Sequence, residues 1–186
     1  MRSPAPLYVG LGLFVLVLAY LLASSLLKPA VPEFEPRHTA SGASGERGAG
    51  PDTLTVDAGD ERRWRFVDLD RGVVRDPPDT TGWDLAIRRY HVVPAREVAD
   101  AGVASFDLVA RPPASGYIPS TFAGDTTNPA IRRWYSYGML SHLLLPKGHV
   151  YVVRTSGDRV AKLELISYYC RGLRAGCLTF RYGFLD

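Results

Sequence analysis

Apolar and polar positions follow three different patterns along the chain, one after another. Residues 7–27 read LYVGLGLFVLVLAYLLASSLL and carry no charge. That is close to the ~20 apolar residues a helix needs to cross a bilayer core. Only a helix satisfies its own backbone in lipid, so the stretch predicts a single transmembrane helix with residues 1–6 as a cytoplasmic N-terminus. Gly12, Ala19 and Ala23 are its small positions for close helix packing. The run exceeds the ~7–15-residue apolar core of a cleaved signal peptide, and no clear A-x-A-like site follows. A lipid-modified cysteine is not expected either, because the two cysteines are Cys170 and Cys177.

Residues 28–52, KPAVPEFEPRHTASGASGERGAGPD, have no hydrophobic period. Pro29, Pro32 and Pro36 predict a stiff, extended first half, and Gly42, Gly45, Gly48 and Gly50 a flexible second half. The segment reads as a tether, or as a strap laid over a partner's surface.

From Thr53 the period becomes two, the mark of half-buried strands. Residues 53–57, 63–69, 83–93 and 103–109 each predict a strand, with Trp64, Phe66 and Leu69 as packing residues of the second. Asp76, Pro77, Pro78 and Asp79 predict a turn, since proline donates no backbone hydrogen bond. Residues 111–129 hold Pro112, Pro113, Gly116, Pro119, Gly124 and Pro129 and predict a loop. Residues 138–145 predict a short helical turn. Strands over 149–155 and 159–169 join through Ser156, Gly157 and Asp158, with Gly157 supplying the positive φ. Leu163, Leu165, Ser167 and Tyr169 then share one face, and Lys162, Glu164, Ile166 and Tyr168 the other. A last strand covers 177–184. The expectation is a mainly β, antiparallel, sandwich-like domain over residues 53–186 with local, meander-like pairing.

Charge changes this picture little. The net charge is +3, with acids and bases interspersed, so no nucleic-acid footprint stands out. Arg62-Arg63, Arg88-Arg89 and Arg132-Arg133 read as solvated strand faces or edges. Cysteine changes it more. Cys170 and Cys177 lie at the two ends of a hairpin connection, so a disulfide is favoured over two buried thiols. A disulfide needs an oxidising compartment. The domain is therefore expected on the periplasmic side of a bacterial inner membrane.

Several segments together resemble the HmuY-like family of haem-binding β proteins from bacterial surfaces. They are TLTVDA from Thr53, WRFVDL from Trp64, WDLAIRRY from Trp83, Trp134, VYVVRTSGD from Val150, AKL from Ala161 and LTFRY from Leu178. Their order and spacing span residues 53–184. The resemblance implies an antiparallel sandwich-like fold and, in its best-studied members, haem iron held by two axial His or Met side chains on loops. One family ligand follows the tryptophan matched by Trp134, which points to Met139 or His142. The other lies in a segment matched by residues 107–129, which contain neither His nor Met; Tyr117 is the one plausible oxygen ligand there. Half of a haem site is what the resemblance leaves.

The other histidines have ordinary readings: His38 solvated in the linker, His91 structural or at the surface, His149 bonded to a turn. Asp84 is placed to pair with Arg88 or Arg89. No metal spacing, nucleophile elbow, phosphate loop or dinucleotide fingerprint is present, so no catalytic residue and no enzyme are expected. Aromatics from Trp134 onward read as core or cross-strand pairs, with any exposed ones as protein-contact anchors. Two functions remain. The preferred one is an accessory subunit of a larger membrane complex, photosynthetic or respiratory, with integral membrane subunits and the lipid bilayer as partners and no cofactor of its own. The alternative is a membrane-tethered haem or tetrapyrrole binder.

Overall fold

The computed structural model describes residues 5–26, 29–39, 51–75, 82–122 and 126–186. The glycine-rich half of the linker and the turn expected around Pro77 and Pro78 lie outside them. The chain forms two compact units: Met1–Ala30 with Tyr137–Leu145, and Val31–Ser136 with Pro146–Asp186.

In the first unit, α1 (Ala5–Leu26) is a charge-free helix of 22 residues with no polar face. Its large apolar side chains from Tyr8 to Leu22 are exposed, as are Gly12, Ala19 and Ala23. Among the described residues, no helix is long and apolar enough to cross a membrane. The helix expected over 7–27 is present as Ala5–Leu26, and the expectation that it spans a membrane is not borne out.

The second unit is β throughout. Its strands, with those of the Tyr137–Leu145 hairpin, are β1 (Glu33–Phe34), β2 (Asp52–Asp57), β3 (Arg65–Asp68), β4 (Val73–Arg75), β5 (Leu85–Arg88), β6 (His91–Pro94), β7 (Glu97–Val103), β8 (Ile118–Pro119), β9 (Tyr135–Tyr137), β10 (Leu144–Pro146), β11 (His149–Arg154), β12 (Val160–Cys170) and β13 (Arg174–Leu185). One sheet runs β2-β13-β12-β11-β7-β8, with β1 added to β12; a second runs β4-β3-β5-β6; β9 and β10 pair alone. All pairings in the two larger sheets are antiparallel except β1 on β12. The expected β12 alternation holds through Ser167: Ala161, Leu163, Leu165 and Ser167 are buried between half-exposed neighbours. It then fails, because the register shifts around Ser167 and Tyr168, Tyr169 and Cys170 are all covered.

Three strand expectations are corrected. The strand expected over 83–93 is a hairpin, β5–β6, reversing at Arg89, whose φ is 53°. The strand expected over 103–109 ends at Val103 and gives way to a 3-10 turn, Phe106–Leu108. In β3 and the turn after it, Val67 and Leu69 are the buried residues. Trp64 instead lies under the Arg88 guanidinium, and Phe66 lies against the ring of Trp83. At the β11–β12 turn, Asp158 takes the positive φ of 62°, not Gly157. A Cβ at Gly157 would sit 2.7 Å from Asp70 Oδ2, so a larger residue there would displace the Asp70 carboxylate.

The strap expected over a partner lies on this chain's own domain. Glu33 and Phe34 pair in parallel with Tyr169 and Cys170. The Pro32 carbonyl accepts the Ser167 hydroxyl, Arg37 N–H donates to the Thr55 carbonyl, and Val74 N–H donates to the His38 carbonyl. The strap therefore runs from the first sheet to the edge of the second. Its anchor is the loop closed by the Cys170–Cys177 disulfide. There the Glu33 carboxylate accepts Gly172 N–H at 2.8 Å and Leu173 N–H at 3.2 Å. Both donors have positive φ, which turns successive amides toward one anion.

Candidate functional site

Met139 and His142 both lie in the Tyr137–Leu145 tip of the first unit. The tip closes through two backbone bonds: Gly138 N–H donates to Leu143 O at 2.8 Å and His142 N–H to Gly138 O at 2.7 Å. The helical turn expected here is thus a single hydrogen-bonded turn leading into β10. A Cβ at Gly138 would force the Ser141 hydroxyl to turn away. Leu143 points inward, whereas Met139 is 76% exposed and His142 is exposed. His142 sits at φ 56°, a left-handed conformation that histidine visits more readily than most side chains. Its Nδ1 shares a 2.6 Å hydrogen bond with Tyr137 Oη. That bond holds the ring and leaves Nε2 without a partner among the described residues.

Trp134 is buried in the second unit, and its indole N–H donates to the Tyr90 carbonyl at 2.9 Å. Tyr90 contacts His91, Tyr135 and Tyr168, and Tyr168 contacts Tyr169, so most of the aromatics expected as core pairs are core pairs. Tyr137 stays half exposed. Tyr117 is a poor iron ligand. Its hydroxyl is buried without a hydrogen-bond partner among the described residues, and the Arg154 guanidinium lies over its ring. Burial raises the Tyr117 pKa, against the phenolate that iron would take.

Histidine readings shift in detail. His149 Nδ1 bonds the Asp100 carboxylate at 2.9 Å, where a turn was expected. His38 is exposed but fixed through its carbonyl. His91 stacks on Tyr90 with ring centres 4.4 Å apart.

Sequence reasoning missed the cluster Asp68, Asp70 and Asp84, whose ligand atoms lie within 4.8 Å of one another. Its oxygens are already engaged. Asp68 accepts from Arg71 and Arg75 at 2.9 Å each, and Asp70 from Arg159 at 3.1 Å. Asp84 pairs with neither Arg88 nor Arg89. Its Oδ2 accepts Leu69 N–H at 2.7 Å and its Oδ1 accepts Ser156 N–H at 2.5 Å. Burial raises its pKa in spite of those two bonds. The cluster ties the β3–β4 turn to the β11–β12 turn, and so the ends of the two sheets together. No local signal marked it, because its partners are amides and arginines far apart in sequence.

No family model matches the chain, and no curated protein matches it. Solved structures do match in shape. A Tannerella forsythia apo HmuY analog aligns over 73% of this chain and 96% of its own, with TM-score 0.62 and 16% identity. A Bacteroides vulgatus protein provisionally described as HmuY-like and haem-binding aligns over 71% and 90%, with TM-score 0.61 and 22% identity. A Bacteroides fragilis protein provisionally described as a lipoprotein aligns over 71% and 88%, with TM-score 0.60 and 24% identity. At these identities the likeness establishes the fold: an HmuY-like β architecture over most of the chain.

Proposed function

We propose that this chain is a non-enzymatic haem-binding protein whose HmuY-like domain is displayed at a bacterial membrane surface and held there by its apolar N-terminal helix. The observation that carries the reading is the fold shared with an HmuY analog and with a protein described as HmuY-like and haem-binding. Fold alone does not confer function, so the residues must fit the group. Met139 offers a thioether and His142 an imidazole, two donors that haem iron accepts. The Tyr137 bond to Nδ1 is the kind of outer contact that orients a metal-binding histidine. The two side chains are three residues apart on one tight turn. Of the two, His142, which Tyr137 orients, is the residue we assign to hold the iron were haem bound. When bound, haem supplies a redox-active iron; the protein supplies the imidazole, the tyrosine that fixes it and apolar side chains beside it.

The surface placement draws support from the likeness to a protein described as a lipoprotein and from a helix apolar on every side. Nothing in the structure or the likenesses supports a subunit of a photosynthetic or respiratory complex, the reading preferred from sequence. Titration of the full chain in detergent with hemin tests the proposal. The expected result is a saturable Soret shift at a 1:1 endpoint, abolished or weakened at least tenfold by His142→Ala and changed little by Met139→Ala, as a lost axial bond requires. A flat titration of the unmodified chain would overturn it.

A further inference from the structure

The Tyr137–Leu145 tip forms one compact unit with Met1–Ala30. It reads YGMLSHLLL and has no charged residue. Tyr137, Met139 and Leu140 are 49%, 76% and 40% exposed. The unit that contains an outwardly apolar helix thus also carries a second outwardly apolar segment.

Charge near the tip is one-sided. No Asp or Glu occurs between Asp125 and Asp158, while Arg132, Arg133, Lys147 and Arg154 do. Arg132, Arg133 and Lys147, the three nearest the tip in sequence, are exposed. Leucine and methionine seek the acyl boundary, tyrosine settles at the headgroup level, and arginine and lysine are drawn to anionic headgroups. The same tip of a second copy would set positive charge against positive charge. An anionic bilayer offers both the complement and the apolar phase.

We infer that the Tyr137–Leu145 tip is a second membrane contact, which dips into the interface of an anionic bilayer alongside α1. The domain is then gripped at two points and does not swing on one. The inference stands apart from the haem reading, because it uses the apolar area of Tyr137, Met139 and Leu140 and no donor atom.

Met139 reports on its own surroundings. Met1 is the one other methionine, so peroxide oxidation of Met139 is read cleanly by peptide mass spectrometry. The haem-free full chain is reconstituted in phosphatidylcholine vesicles with or without phosphatidylglycerol. Met139 oxidation is expected to slow several-fold when phosphatidylglycerol is present, to recover in high salt and to recover in Leu140→Asp. Leu140→Trp gives a second reading, as added emission quenched by brominated lipid. Equal oxidation in both vesicle types with no added quenching overturns the inference. So does protection that follows protein concentration and ignores lipid composition, which would assign the tip to a second copy. Protection that survives Leu140→Asp also overturns it.

Discussion

Replacing Asp84 with asparagine tests how the two sheets are held together. Asp84 is 1% exposed, and each of its oxygens accepts one backbone N–H, from Leu69 and from Ser156. Asparagine keeps one acceptor and presents an NH2 group where the other acceptor was, donor against donor. A hydrogen bond to a charged group contributes about 1.5–3 kcal/mol. Relief from burying a charge offsets part of that loss, which leaves a net destabilisation of about 1–3 kcal/mol. At this chain length that corresponds to a fall of roughly 2–12 °C in Tm. The pH dependence has a definite sign. Burial raises the Asp84 pKa above the ordinary 3.8, so the folded chain holds this proton more tightly than the unfolded chain. The stability it contributes is complete below the unfolded value and is lost as pH rises through the folded one. The asparagine side chain does not titrate, and subtracting the variant's curve cancels the other groups. The gap in stability between parent and Asp84→Asn is therefore widest in acid and narrows toward neutrality. Urea unfolding of the full chain in detergent, followed by tryptophan fluorescence across a pH series, measures it. A gap within about 0.5 kcal/mol at neutral pH, the range of an inert surface change, would refute the role of the carboxylate. A gap that widens as pH rises would refute the sign.

Two further predictions concern the strap and the turn. Replacing Cys170 and Cys177 with serine opens a loop of sequence separation 7; chain entropy puts the cost at about 2.5 kcal/mol. It also frees the Gly172 and Leu173 amides that hold Glu33, so hydrogen exchange should quicken over residues 32–39 while β11 and β13 stay protected; unchanged protection of the strap would count against the anchor. Gly157→Ala brings a methyl group to 2.7 Å from Asp70 Oδ2 and should push that carboxylate away from Arg159 at a cost of at most about 1 kcal/mol in urea unfolding; a loss above about 3 kcal/mol would mean that the Asp70 side chain cannot yield.

What the sequence revealed divides along physical lines. The β11–β12–β13 meander was readable because the buried positions of β12 alternate through Ser167 and the connections are short. The helix was readable because residues 7–27 carry no charge. The break at Arg89 was not, since no glycine, asparagine or aspartate announces the positive φ there. The strap was read as proline-rich and extended, which it is, but backbone bonds to Tyr169, Cys170, Thr55 and Val74 leave no trace in side-chain pattern. Asp84 misled for the same reason: Arg88 and Arg89 follow closely in sequence, yet its partners are amides at Leu69 and Ser156. Met139 and His142 came from the family resemblance and not from spacing. The Tyr137 contact that singles out His142 spans five residues, a separation that neither a helix nor a strand face brings together.

The central claim is that haem iron, when bound, would take one protein ligand, His142. Resonance Raman and electron paramagnetic resonance of the haem-loaded full chain count the axial protein ligands directly. The account predicts one nitrogen ligand, lost in His142→Ala and retained in Met139→Ala. Two protein ligands on the iron, or a spectrum unchanged by His142→Ala, would contradict it.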